Sequence, residues 1–99
     1  AAEARRIAKL IDPTAESTTI ALKIGDMAQL RRQLDAIAAD TVAFNCDVVL
    51  QVPRTEDYPW LATLLTKRVK KINPDFELDL RRVIERNEKA QVVLKPAQL

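Results

Sequence analysis

Between Val42 and Val52 every second residue is apolar: Val42, Phe44, Cys46, Val48, Leu50 and Val52, with Ala43, Asn45, Asp47, Val49 and Gln51 between them. A period of two sustained over this stretch predicts a strand with one face in the core and one face outside it, and Pro53 closes it. A shorter stretch, Thr18 to Ile24, alternates in the same way, with Ile20, Leu22 and Ile24 on the apolar side, and ends at Gly25. Between these strands the period changes. Met27, Leu30, Leu34, Ile37 and Ala38 recur at helical spacing, and Asp26 with Gln29 three residues on forms a capping pair at the start. This helix is expected to run out near Asp40.

A second long helix is predicted from Thr55 to Asn73. Trp60, Leu61, Leu64, Leu65, Val69 and Ile72 form its apolar face, Glu56 and Asp57 sit at the end that favours anions, and Asn73-Pro74 stops it. Pro59 is tolerated because first-turn N–H groups have no partner within a helix. Trp60, in register with Leu61 and Leu64, reads as an anchor into the core, while Tyr58 is freer. Ahead of all this, Ala4, Ile7, Ala8 and Ile11 predict a helix over 1–12, ended by Asp12-Pro13, with 14–18 as a polar connector. The last third is less decided. Phe76, Leu78 and Leu80 alternate, and so do Val92 and Leu94, which predicts two strands joined in a hairpin by a tight turn through Arg86 to Lys89. Continuing the first parity would turn Arg82 inward, so a bulge there, or a short helix from Arg81 to Arg86, competes with the strand.

The resulting order is α-β-α-β-α-β-β. Strands apolar on both sides would mark a sheet covered on both faces; these are apolar on one side. The expected fold is therefore α/β: a two-layer sandwich with a roughly four-stranded mixed sheet, helices on one face, parallel βαβ pairs and an antiparallel pair at the end. With 99 residues, 47% hydrophobic and 30% charged, the chain reads as one domain, 1–99, able to build a single core. The opening AAEARRIAKL reads as a piece of a longer chain.

Composition removes most chemistry. There is no histidine and one cysteine, so Ser/His and Cys/His nucleophile pairs, Cys/His zinc sites and internal disulfides are excluded. One glycine cannot build a phosphate-cradling loop, and Asp26 at its helix cap would repel an anion. Cys46 shares the apolar parity of its strand, so burial should raise its pKa and quench it. Asp47, Glu77 and Asp79 fall on polar strand positions and could converge, although such residues usually face cations across a wet sheet. No catalytic residue, metal ligand or cofactor is expected.

The net charge of +2 points to no polyanion, but the bases cluster. Lys67, Lys70 and Lys71 share a face of the second long helix, and Arg81, Arg82, Arg86 and Lys89 follow in the tail. They are the candidate phosphate contacts for weak DNA or RNA binding. The polar sheet face, with Asn45, Asp47, Val49 and Gln51, carries no aromatic for stacking bases. The leading expectation is thus a non-catalytic accessory domain of a larger intracellular protein, meeting a protein partner through its open sheet face or edge. A nucleic-acid-associated domain is the alternative. A lone cysteine favours a reducing, cytoplasmic setting, and no run is long enough for a membrane span.

Overall fold

The computed structural model describes residues 16–97; the helix expected over 1–12 and the first residues of the connector lie outside them. The elements run β1 (Thr18–Ala21), α1 (Met27–Ala43), β2 (Asp47–Val52), α2 (Asp57–Ile72), β3 (Leu80–Ile84) and β4 (Gln91–Lys95). Both helices contribute to one core with the inward side of the sheet: Leu30, Leu34, Ile37 and Ala38 from α1, Leu61, Leu65 and Val69 from α2, Val48, Leu50 and Val52 from β2, Val92 and Leu94 from β4. The α/β two-layer arrangement expected from one-sided alternation is the one found.

Helix α1 begins as its sequence says, with Asp26 Oδ1 accepting from the Gln29 N–H at 3.2 Å. It ends later than expected, at Ala43. The alternation that begins at Val42 is coincidental over its first half, because the helical stripe continues: Asp40 and Thr41 follow Ile37 by three and four residues and are both buried. The terminator is Asn45, which has φ 51, in the left-handed region. Its N–H bonds the Val42 carbonyl at 3.4 Å and the Cys46 N–H bonds the Thr41 carbonyl at 2.9 Å. This paired closure satisfies two orphan carbonyls at a helix end, with asparagine in the place glycine usually takes. The strand is left with Asp47–Val52, half the stretch its pattern suggests.

The sheet order is β1-β4-β2-β3. Strands β2 and β3 are parallel neighbours, and β4 is antiparallel to both β1 and β2. The expected hairpin between β3 and β4 is absent: the chain leaves β3 at one edge, passes the end of β2 and returns between β2 and β1. Burial explains the exchange. Strand β4 presents Ala90, Val92 and Leu94, all buried, and belongs in the middle of the sheet. Strand β3 presents Arg82 on the same side, which only an edge can accommodate. It is neither bulged nor helical. Arg82 stays on its strand parity, opposite Leu50, and its guanidinium lies 5.8 Å from the centre of the Tyr58 ring, a cation–π contact at the rim of the core.

The other edge, β1, is held differently. Gln33 of α1 donates from Nε2 to the Ala21 carbonyl at 2.7 Å and accepts from the Lys23 N–H at 2.8 Å. One side chain thus bonds two of the main-chain groups a neighbouring strand would take. It also places α1 over the β1 side of the sheet and α2 toward β3.

Candidate functional site

The side of the sheet turned from the helices is a grid set by the strand registers. One row runs Thr19, Val93, Val49, Arg81 across β1, β4, β2 and β3; the next runs Ala21, Gln91, Gln51, Val83. Val49, Val83, Val93, Gln51 and Gln91 are half-buried by their neighbours in the sheet, and Thr19, Ala21 and Arg81 are exposed. Among the described residues no helix or strand lies over this face. At one end Lys95 opposes Asp47, and Asp79 begins the flank of β3, its carbonyl taking the Val48 N–H at 2.9 Å.

The acidic residues of this face are interleaved with bases. Asp47 has Lys95 across from it, and Asp79 lies 3.9 Å from Arg81 with both side chains well exposed, a contact worth little in stability. Glu77 stands outside the strands, in the segment leading to β3. Among the described residues no three acidic or cysteine side chains are grouped so that they could hold a metal ion.

The basic residues fall into several places rather than one. Arg68 reaches α1 and forms a 2.8 Å ion pair with Asp35, also donating to the Leu64 carbonyl. Lys71 lines a groove together with Arg68, and Lys67 and Lys70 border a second depression with Ala62, Thr63 and Thr66. At helical spacing Lys67, Lys70 and Lys71 lie within about 100° of one another around α2. Lys70 donates to the carbonyls of Phe76 at 2.7 Å and Pro74 at 3.4 Å, so it ties down the turn after α2. Arg81 is on the open face and Arg82 on the helix side. Arg86 lies beside Pro53, Arg54 and Glu56, at the N-terminal end of α2, and Lys89 follows in the β3–β4 connection. The 16 residues of α2 put Arg86 and Lys70 at opposite ends of a helix about 24 Å long, at about 1.5 Å per residue.

Cys46 is 2% exposed and its thiol is 3.7 Å from the Asp40 carbonyl. Burial, then the negative charges of Asp40 and Asp47, push its pKa up to about 11. A thiol so placed is neutral and poorly nucleophilic near neutral pH. Trp60 is half-buried, its indole N–H directed to Asp57 at 3.4 Å, and Tyr58 is half-buried beneath Arg82.

One feature escapes a reading of the sequence. The C-terminal halves of the two helices diverge into a groove of about 390 Å³ lined by Asp35, Ala39, Val42, Ala43, Arg68, Lys71 and Ile72. Ile72, on the apolar stripe of α2, is 51% exposed there. The available signal was Ala39 and Ala43, small residues where α1 approaches the end of α2. Apart from the Asp35–Arg68 pair and Lys71 this lining carries no group suited to proton transfer or anion binding. No described helix is long and apolar enough to cross a membrane. Compared with protein-family models, curated proteins and solved structures, the chain matches none.

Proposed function

We propose that this is a non-catalytic accessory domain that binds another protein through its open sheet. The observation that supports this reading best is the one-sided covering of the sheet: β2 and β4 bury Val48, Leu50, Val52, Val92 and Leu94 beneath the helices, while the opposite face, with Val49 and Val93 cross-strand neighbours at its centre, has no described element over it. A sheet face with an apolar centre and amide-bearing and charged surroundings has the make-up of a protein–protein contact. A photoreactive side chain at Gln51 should therefore cross-link to one defined protein in the source cells, and the same group at Arg32, on the outer face of α1, should not. Equal capture at both positions, or none at Gln51, refutes the reading.

The alternative, phosphate binding by the bases, is weakened by their dispersal and by prior engagements. Arg68 is paired with Asp35, Lys70 holds the carbonyls of Pro74 and Phe76, and Arg82 covers Tyr58. Counterion release scales with the number of phosphates neutralised together, so a split set gives weak, sequence-blind binding, no tighter than about micromolar at physiological salt. Titration of a labelled oligonucleotide at two salt concentrations measures this. Submicromolar binding that resists salt and disappears in a Lys67→Glu/Lys71→Glu variant would restore the alternative.

A further inference from the structure

The hydrogen bonds of the parallel β2–β3 ladder determine which main-chain groups of β3 face away from β2. The Val48 N–H goes to the Asp79 carbonyl and the Glu85 N–H to the Val52 carbonyl, both at 2.9 Å. In a parallel ladder alternate residues face the neighbour, so Asp79, Arg81, Val83 and Glu85 turn to β2. The N–H and C=O groups of Leu80, Arg82 and Ile84 then point outward from the edge. Arg82 would ordinarily guard such an edge, but its guanidinium is laid back over Tyr58.

We propose that this edge pairs with the same edge of a second copy of the chain, antiparallel and centred on Val83, joining two four-stranded sheets into one. This rests on the reading of the sheet as a protein-binding surface and names the partner. Charge selects the occupant and the register. Three antiparallel registers overlap three or more residues of β3 while pairing the outward-facing residues Leu80, Arg82 and Ile84 with one another. Centring on Arg81 sets Arg81 against Arg81 of the second copy, and centring on Arg82 does the same for Arg82. Like charges directly opposite are unfavourable. Centring on Val83 instead sets Arg81 opposite Glu85 of the second copy, twice by symmetry, with Val83 against Val83 between them on the open face. Arg82 and Ile84 then exchange main-chain hydrogen bonds across the axis, the pairing that their outward groups require. The sequence Arg81-Arg82-Val83-Ile84-Glu85 is self-complementary in that one alignment. The edge is short, so the contact falls below the area of about 1,200 Å² that stable complexes bury, and the dimer is a weak one.

Sedimentation velocity of the 99-residue chain up to about a millimolar, the range in which such weak contacts populate, should show a monomer–dimer equilibrium. In an amide NMR concentration series the Arg82 and Ile84 signals should shift and those of Thr19 should not. Glu85→Arg should weaken the dimer about tenfold by turning two attractive pairs repulsive, with the thermal midpoint of the monomer little changed. Arg81→Glu added to Glu85→Arg should restore affinity to within about threefold of the original, because the pairs are re-formed with their signs exchanged. A chain monomeric at every concentration overturns the proposal. So does a dimer indifferent to Glu85→Arg, or one whose contact signals are Val49 and Val93. If the chain is monomeric while Gln51 still cross-links a different protein, the dimer is wrong and the sheet reading stands; failure of both removes both.

Discussion

A Val48→Asp chain is expected to be unfolded in buffer, while Gln51→Lys, three residues along the same strand, should melt close to the parent. Val48 is 0% exposed and lies between Leu94 and Leu80 in the sheet, beneath the helices. A carboxylate there has no cation to meet and no water. The cost of an unpaired charge in such a site is above about 4 kcal/mol, against a whole-domain stability of about 5–15 kcal/mol. Gln51 faces the other way, between Gln91 and Val83, where a lysine can extend into solvent at a cost within about 0.5 kcal/mol. Chemical denaturation followed by circular dichroism separates the two. Equal loss in both variants would mean that the helices do not define the inside of the sheet.

Cys46 should give the second large effect. A bulky thiol reagent can reach a 2% exposed sulfur only through opening of the fold, so native labelling should be slower than labelling of the unfolded chain by a factor on the order of a thousand or more. The raised pKa adds a pH signature. With the folded thiol near 11 and its ordinary value at 9.0, the folded state holds the proton over a range in which the unfolded state releases it. Stability from this group is therefore complete below pH 9 and is lost as pH rises from about 9 toward 11, by on the order of 2 kcal/mol. Other groups titrate in that range, so the measurement is the difference from Cys46→Ala, whose denaturation midpoint should fall less steeply between pH 9 and 11. Rapid native labelling, or identical slopes in both chains, would place the sulfur outside the core.

The helices were the most legible part of the chain, because their signals are redundant. Helix α2 has a wide apolar stripe, a proline where the first turn tolerates one and Asn73-Pro74 at its end, and its limits of Asp57–Ile72 fall within two residues of expectation. Strand β2 was half legible. Its alternation extends back to Val42, and nothing in a period-two pattern shows that the first turns of that pattern are also a helical stripe; the discriminating residue was Asn45, whose tolerance of positive φ closes α1. The neighbours of β4 were not legible, since a hairpin and a crossover use similar turns. The clue lay in comparing the strands: Arg82 is intolerable in the middle of a sheet, and Ala90, Val92 and Leu94 are wasted at its edge. The dispersal of the bases was hidden for a related reason. Lys70 and Arg86 are close in sequence, but one full element, β3, carries the chain from one end of the molecule to the other between them.

The Gln33 clamp on β1 bears on how far any assembly of this sheet can grow. With the Ala21 carbonyl and the Lys23 N–H already bonded to that side chain, the outer edge of β1 offers a newcomer within the strand the Thr19 groups and the Ala21 N–H. If both edges were open, β3 of one molecule could take β1 of the next, and head-to-tail addition would continue without limit as a filament. Blocking part of one edge favours the proposed like-to-like pairing, which would consume the β3 edge of each molecule and terminate at two. Under the proposed pairing a single glutamine would thus limit edge-to-edge growth, and in its absence the sheet would offer a second edge for addition.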